Sequence, residues 1–457
     1  MTAQEIRARF PDLETVTAMF ADSNGIMRGK VLPASGLDKL MKDGVFLPAS
    51  VFGTDATGES VAETGLVWEC GDVDFPWRVI PETLFAIPDR NGRELAVMIQ
   101  MLQPDGVTPH HLDPRGILAS VIDRLNAKGV FPVVAPELEF YLIARENDAR
   151  GMGQAAPIDG FLRPQETNQI YGIDAYQEFA PVVEAIKDAC RAVSVAADAA
   201  IAEYGRGQFE ININHNGDIL RACDEAVLLR HLARRVARGF GYDVTFMGKP
   251  FGEDTGSGFH LQVSLWDGDG ANLLSEDEGQ EPWENPAMAH AAGGMAEYLA
   301  DSMAVFAPNA NAWRRLQPGH YAPTDRSWGY NNRTVNFRIP PGGASARRLE
   351  HRASSADINP YLATALILAA MVEGMEGKIM PPAMITGNAY DTPDRTGLPV
   401  TWAAALQCFR ESDFIGRWLG EEYRHTCTAT TATATATATG PTLRKLYRQV
   451  KVAGSRL

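Results

Sequence analysis

The chain has 457 residues, with 57 acidic side chains against 42 lysines and arginines, a net charge of -15 and five cysteines. A chain this long can bury a large core and is expected to hold two or more domains, while its acidic balance argues against nucleic acid as a partner. Cys70, Cys190, Cys223, Cys408 and Cys427 are scattered without metal spacing, which suits a reducing cytoplasm. There is no signal-like amino terminus and no apolar run of the roughly 18 residues a membrane span needs, so a soluble protein without a membrane partner is expected.

In chain order, residues 1–105 read as a small domain of short strands, with a helix near Leu37–Lys42, a strand over Glu94–Leu102 and a linker at Gln103–Gly106. From Pro114 onward a helix over Arg115–Lys128, strands with acidic faces and apolar helices such as Tyr361–Met375 alternate, the pattern of an α+β domain. Glu137 and Glu139 lie two residues apart in an apolar run from Val133 to Leu142, so a strand presents both on one face. Gln208–His215 alternates Phe209, Ile211 and Ile213 with Glu210, Asn212 and Asn214, and Glu203 precedes it across the turn Gly205-Arg206-Gly207. Carboxylates gathered on sheet faces repel one another and are costly to desolvate unless a hard cation lies among them.

His260 follows the turn Gly256-Ser257-Gly258 and opens a strand that carries Gln262 and Ser264 on the same face. One such histidine is more often a core or surface residue than a ligand, and the same caution applies to Glu350 beside His351 and Arg352. The arginines change that balance: Arg315, Arg333, Arg338, Arg347, Arg348 and Arg352 crowd one segment of an acidic chain, interleaved with Val335, Phe337 and Ile339 at strand period. Guanidinium forks bind phosphate and carboxylate oxygens in pairs, so carboxylates facing an arginine cluster read as a device for moving phosphate. No Ser-His-Asp, Cys-His or Walker-type constellation offers another route.

Five ordered stretches, PELEFYL, EYGRGQFEININH, GSGFHLQV, NNRTVNFRIP and RRLEHRASSADINPYL, resemble the glutamine synthetase family, and the resemblance runs from about residue 15 to about residue 425. It implies a small amino-terminal β-grasp domain at 1–105 and a large catalytic domain with an antiparallel sheet at 106–425. It also implies roles. Glu139, Glu203 and Glu210 match ligands of one divalent ion, and Glu137, His260 and Glu350 those of a second, Mg2+ or Mn2+. Arg315 and Arg352, with Gly256, match residues that hold glutamate. Arg333 and Arg338 match arginines on the transferring phosphoryl group, and Ser264 and Arg348 match contacts to ATP, the co-substrate. A homo-oligomer with active sites between subunits, commonly two stacked hexamers (a dodecamer), is implied as well.

The departures bear on the acceptor. In glutamine synthetases proper the flap reads PGYEAP, whose carboxylate helps deprotonate ammonium; here Pro318–Pro323 carries Tyr321 at that place. A tyrosine near its usual pKa of roughly 10 is no anionic trap at neutral pH. The Asp-Gly-Ser-Ser element of the amino-terminal domain is replaced by Phe52–Gly58, with Asp55 its equivalent by position alone. Tyr321, Asp55 and Asp325 are the candidates for receiving the amine proton, each equally readable as a plain loop residue. The wording of GIMRGKVLP, TFMGKP and APNANAWRRLQPG resembles the γ-glutamylpolyamine synthetase branch, which joins glutamate to putrescine or related amines. Glutamine synthesis from ammonia, ligation of methylamine or ethanolamine, and a non-catalytic scaffold are the alternatives. Residues 426–457 depart from the family: a Thr-Ala repeat followed by a basic end is expected to be a flexible linker with at most a short helix.

Overall fold

The alternating runs of the sequence assemble into two sheets. The computed structural model describes residues 1–88, 90–146, 153–158, 165, 170–317, 319–323, 325–391 and 397–437. The first sheet holds β1 (Thr15–Ala21), β2 (Met27–Pro33), β3 (Val45–Pro48), β4 (Asp74–Val79), β5 (Phe85–Ala86) and β6 (Glu94–Met101), with helices α1 (Ala3–Arg9) and α2 (Leu37–Asp43). Its order is β2-β1-β6-β4-β3, with β5 added to β6, and its central pair β1–β6 is parallel. Trp77 is fully buried there against Phe20 and Phe52. The expected linker at Gln103–Gly106 is a tight turn, with the Gln103 amide on the Thr108 carbonyl at 2.7 Å and the Gly106 amide on the Gln103 carbonyl at 2.9 Å.

The second sheet begins after α3 (Pro114–Asn126), a helix started by Asp113, whose carboxylate accepts the Arg115 amide, and by Pro114 in its first turn. Such a start satisfies an amide that has no partner inside the helix. There follow β7 (Phe131–Ala144), α4 (Ile173–Gln177), α5 (Ala180–Ala192), β8 (Ala197–Ala202), β9 (Gln208–Ile213), α6 (Ile219–Gly239), β10 (Tyr242–Thr245), β11 (Phe259–Trp266), α7 (Pro286–Glu297), α8 (Leu299–Phe306), α9 (Ala310–Arg315), β12 (Trp328–Tyr330), β13 (Phe337–Ile339), β14 (Leu349–His351) and α10 (Pro360–Gly377). The strand order is β12-β13-β14-β11-β7-β9-β8, with β10 on β7. Every pair is antiparallel except β12–β13 at the edge, which runs parallel, a departure from the all-antiparallel expectation.

On β7 the period of two sends Pro132, Val134, Pro136, Leu138 and Phe140 into the core and leaves Glu137 and Glu139 on the opposite face. Phe140 meets Phe209 and Phe246 on the apolar side, where α6 packs on β7 and β10, and α10 in turn packs on α3, α6 and α7. α10 is apolar nearly all round and is buried accordingly. The two halves are tied by polar contacts: Arg230 donates to the carbonyls of Ala356, Ile358 and Gly25, and Asn359 to that of Asp22 at 2.8 Å.

The carboxy-terminal expectation is corrected. After α11 (Trp402–Glu411) and α12 (Asp413–Leu419), Glu421–Thr437 forms one helix, α13, that runs through the expected boundary at 425 and well into the Thr-Ala repeat. Threonine lowers helix propensity only by tenths of a kcal/mol per residue, and tertiary packing overrides that. Tyr423, Thr426 and Thr430 are buried where α13 lies on α11 and α12. The hydroxyls of Thr428, Thr430 and Thr433 return to the carbonyls four residues earlier at 2.7, 3.1 and 3.2 Å, so they need no outside partner. The basic end, 443–457, lies outside the described residues.

Candidate active site

Strand register gathers the polar faces of five neighbouring strands into one patch. Glu139 stands opposite Glu210 across β7 and β9, and Glu137 opposite His260 across β7 and β11. Glu350 on β14 faces Gln262 on one side and Arg338 on the other. The His260 ring reaches Glu137 at 3.5 Å, Glu139 at 3.8 Å, Glu210 at 3.9 Å and Glu350 at 4.0 Å. Two donor groups result, Glu137/His260/Glu350 and Glu139/Glu210/His260, each with ligand atoms within 4.8 Å of one another. Glu203 stands outside these close groups.

The electrostatics explain why this face is costly without a cation. Burial, then the charges of Glu137, Glu139, Glu203 and Glu350, push the Glu210 carboxyl well above the usual range. Burial and the charge of Glu139 push Glu203 up to about 8 against the pull of Arg333 and Arg352. Glu350 behaves oppositely: burial would raise it, but Arg352, His260 and Arg338 outweigh that and hold it near 2. Arg338 donates to one Glu350 oxygen at 2.7 Å and Arg352 to the other. Nε2 of His260 is buried without a hydrogen-bond partner. Hard oxygen donors with one imidazole, crowded and under-satisfied, suit a divalent cation such as Mg2+ or Mn2+.

Arg315 is buried and donates to the carbonyls of Ala353 and Arg352 at 3.1 and 3.2 Å. Glycine is required where its side chain passes: a Cβ on Gly256 would lie 2.6 Å from Arg315 Cγ, and one on Gly258 would lie 2.6 Å from an Arg315 nitrogen and 2.9 Å from His260 Nε2. Arg333 is exposed. Arg348 donates to Gln262 at 2.9 Å, and Gln262 to Glu137 at 3.0 Å, which links the expected nucleotide contact to a carboxylate. The Ser264 hydroxyl accepts from the Trp266 indole at 2.9 Å.

Three other sequence readings are modified. Arg347 turns away to form a pair with Glu276, so it belongs to loop architecture rather than to the site. Asp55 holds its own turn, accepting from the Thr57 amide and hydroxyl and the Glu59 amide. Asp325 likewise accepts from the Ser327 amide and hydroxyl. Tyr321 is 40% exposed at φ +51°, its ring stacked on Tyr204. Sequence reasoning passed over Gln208, which donates to Glu139 at 3.3 Å and to the Gly256 carbonyl at 3.0 Å. It also passed over Tyr204. The strand period, which sets Gln208 beside Glu210 on one face, would have found the first.

Comparison with known proteins agrees with this geometry. The family model for the glutamine synthetase catalytic domain matches residues 111–436, which takes in most of α13. Gamma-glutamylputrescine synthetase PuuA of Escherichia coli is 38% identical over 420 residues, 91% of this chain and 87% of that protein. Gamma-glutamylethanolamide synthetase of Streptomyces coelicolor is 30% identical over 90% of this chain and 87% of its own. The glutamine synthetase of Pyrococcus abyssi is 28% identical over 90% and 88%. Among solved structures, the ADP complex of GmaS superposes with a TM-score of 0.79 at 25% identity, covering 95% of both chains.

Proposed function

This chain belongs to the glutamine synthetase family, and we propose that it ligates the γ-carboxylate of glutamate to an aliphatic amine, putrescine or a related polyamine, at the expense of ATP. The observation that carries the reading is the pair of carboxylate-histidine groups set directly against Arg338 and Arg352 through Glu350, in a chain that aligns over nine-tenths of its length with ligases of this kind.

In this reading Arg315 and Arg352 hold glutamate, with Gly256 leaving room for the Arg315 side chain. The γ-carboxylate attacks the terminal phosphorus of ATP and ADP departs, giving an acyl phosphate. Arg333 and Arg338 stabilise the charge on the transferring group, and Ser264 and Arg348 contact the nucleotide. The amine, having lost its proton, attacks the acyl carbon, phosphate leaves, and a γ-glutamylamide is formed. Glu139, Glu203 and Glu210 would hold one Mg2+ or Mn2+ and Glu137, His260 and Glu350 another, supplying neutralisation of phosphate charge. Glu203, set apart from the close groups, would have to move its carboxylate to join the first. The amino-terminal sheet of residues 1–105 is read as a β-grasp unit, and the active form as a cytoplasmic homo-oligomer, in the family's arrangement a dodecamer.

Tyr321 in place of the flap glutamate favours an amine larger than ammonia. Ammonia is the second reading, supported by the retention of all six carboxylate and histidine positions and by similarity to a glutamine synthetase. Phosphate release with ATP, glutamate and Mg2+ is to be measured with ammonium, methylamine, ethanolamine, putrescine and spermidine, with product masses. Preference for the polyamines supports the proposal; efficient turnover of ammonium returns the chain to glutamine synthesis; no turnover with any amine refutes both.

A further inference from the structure

Tyr321 is an aromatic residue in the left-handed region of backbone space, φ +51°, a conformation that costs of order 1 kcal/mol or more and clusters at functional positions. No core holds it there, since its side chain is 40% exposed. Its partner is the ring of Tyr204, stacked at 5.6 Å between centroids and 16° between planes. Tyr204 immediately follows Glu203, whose amide is fixed on the Gln208 carbonyl at 2.9 Å. The stack therefore ties the flap (319–323) to the loop that carries one carboxylate of the patch, and it does so at the solvent boundary of the site.

Resting on the ligase reading above, we propose that Tyr204 and Tyr321 act as one aromatic platform that receives the acceptor amine as its alkylammonium cation. Primary alkylamines are protonated in neutral solution and attracted to aromatic faces, Tyr included. Two nearly parallel phenols offer both a π surface and oxygen acceptors without a fixed charge. A carboxylate in this place would bind the small ammonium ion by direct pairing; the phenol pair instead favours a cation with an apolar stem that lies along the rings. Tyr204 is thus assigned a part in acceptor specificity, acting together with the flap residue and not with the phosphate-directed arginines.

The test is steady-state kinetics of the full-length wild-type chain and of Tyr204→Ala, Tyr204→Phe, Tyr321→Ala and the double alanine variant. Acceptors are putrescine and hydroxylamine, the latter small and mostly uncharged at neutral pH. Tyr204→Ala is expected to raise the KM for putrescine roughly tenfold, the scale of a partly desolvated cation–π contact, with the KM values for glutamate, ATP and hydroxylamine moving less than about threefold. Tyr204→Phe, which keeps the ring, should recover most of the putrescine affinity, and the double variant should be little worse than either single one because the rings act as a unit. An unchanged putrescine KM in Tyr204→Ala and Tyr321→Ala overturns the platform while leaving the ligase reading intact, and so does an equal rise for hydroxylamine. Should Tyr204→Ala fail to fold, Tyr321→Ala on the exposed flap gives the same reading. A wild-type chain that uses ammonium but not putrescine also overturns it, and one silent with every amine overturns the ligase reading together with it.

Discussion

Replacing Glu350 with glutamine should destabilise the metal-free protein by about 3–5 kcal/mol, the cost of removing one partner from a buried charge cluster. Glu350 is 1% exposed, Arg352 3% and Arg338 8%, so neither guanidinium can turn to water for compensation. The carboxylate accepts one hydrogen bond from each arginine, on separate oxygens. Hydrogen bonds to charged groups contribute roughly 1.5–3 kcal/mol each. Glutamine preserves the shape but presents an NH2 group to one of two donors, so one bond becomes a donor–donor contact and both cations lose the carboxylate they are paired with. The assay is urea unfolding in EDTA at fixed protomer concentration, since oligomerisation makes stability concentration-dependent. A parallel series with Mg2+ should stabilise the wild type far more than Glu350→Gln, and ADP formation should disappear in the variant. Combining Glu350→Gln with Arg352→Met should cost clearly less than the sum of the single changes, because the second removes a charge that the first left unpaired. A loss below about 1 kcal/mol in the metal-free variant, or strict additivity, would refute the cluster as described.

The carboxy-terminal helix is tested by Ala429→Pro, which removes an amide donor and clashes with the preceding turn; a loss of about 3 kcal/mol or more is expected, whereas an unchanged unfolding midpoint would restore the linker expectation. For pH, burial and then Arg235, Arg234 and Arg238 pull His231 down to about 4, below the value near 6.5 of the unfolded chain. The folded state binds that proton less readily, so this contribution is complete above pH 6.5 and drains as the pH falls toward 4, by about 2 kcal/mol between pH 7 and 5. Urea unfolding across that window should show the loss, and a His231→Gln variant with the same slope would contradict it. Tyr321→Glu should raise kcat/KM for ammonium relative to putrescine; an unchanged ratio would remove the flap from the account of specificity.

Much of the site was open to reading along the chain because its signals are local. A period of two set Glu137 and Glu139 on one face of β7, and the structure keeps them there. The helices expected over Arg115–Lys128 and Tyr361–Met375 agree with α3 and α10 to within two residues, and the caps Asp113 and Asn359 with the prolines after them start both. Gly256-Ser257-Gly258, expected as a turn, is instead irregular backbone in which Gly258 bridges Ser355, and the reason for its glycines, the passage of the Arg315 side chain, was not legible.

What only the tertiary structure decided was non-local. The chain alone says nothing of which residue faces which across β7, β9, β11, β14 and β13, and it is that register that brings His260 within 4.0 Å of four carboxylates. Arg347 and Arg348 are neighbours in the connection just before β14, yet one pairs with Glu276 and the other reaches Gln262. The Thr-Ala repeat carries weak local preference, and its helix exists because Tyr423, Thr426 and Thr430 find buried places on α11 and α12. The stack of Tyr204 on Tyr321 joins residues more than a hundred positions apart. Periodicity and capping are written within a few residues of the chain, whereas register, pairing and burial depend on surfaces that meet only once it has folded.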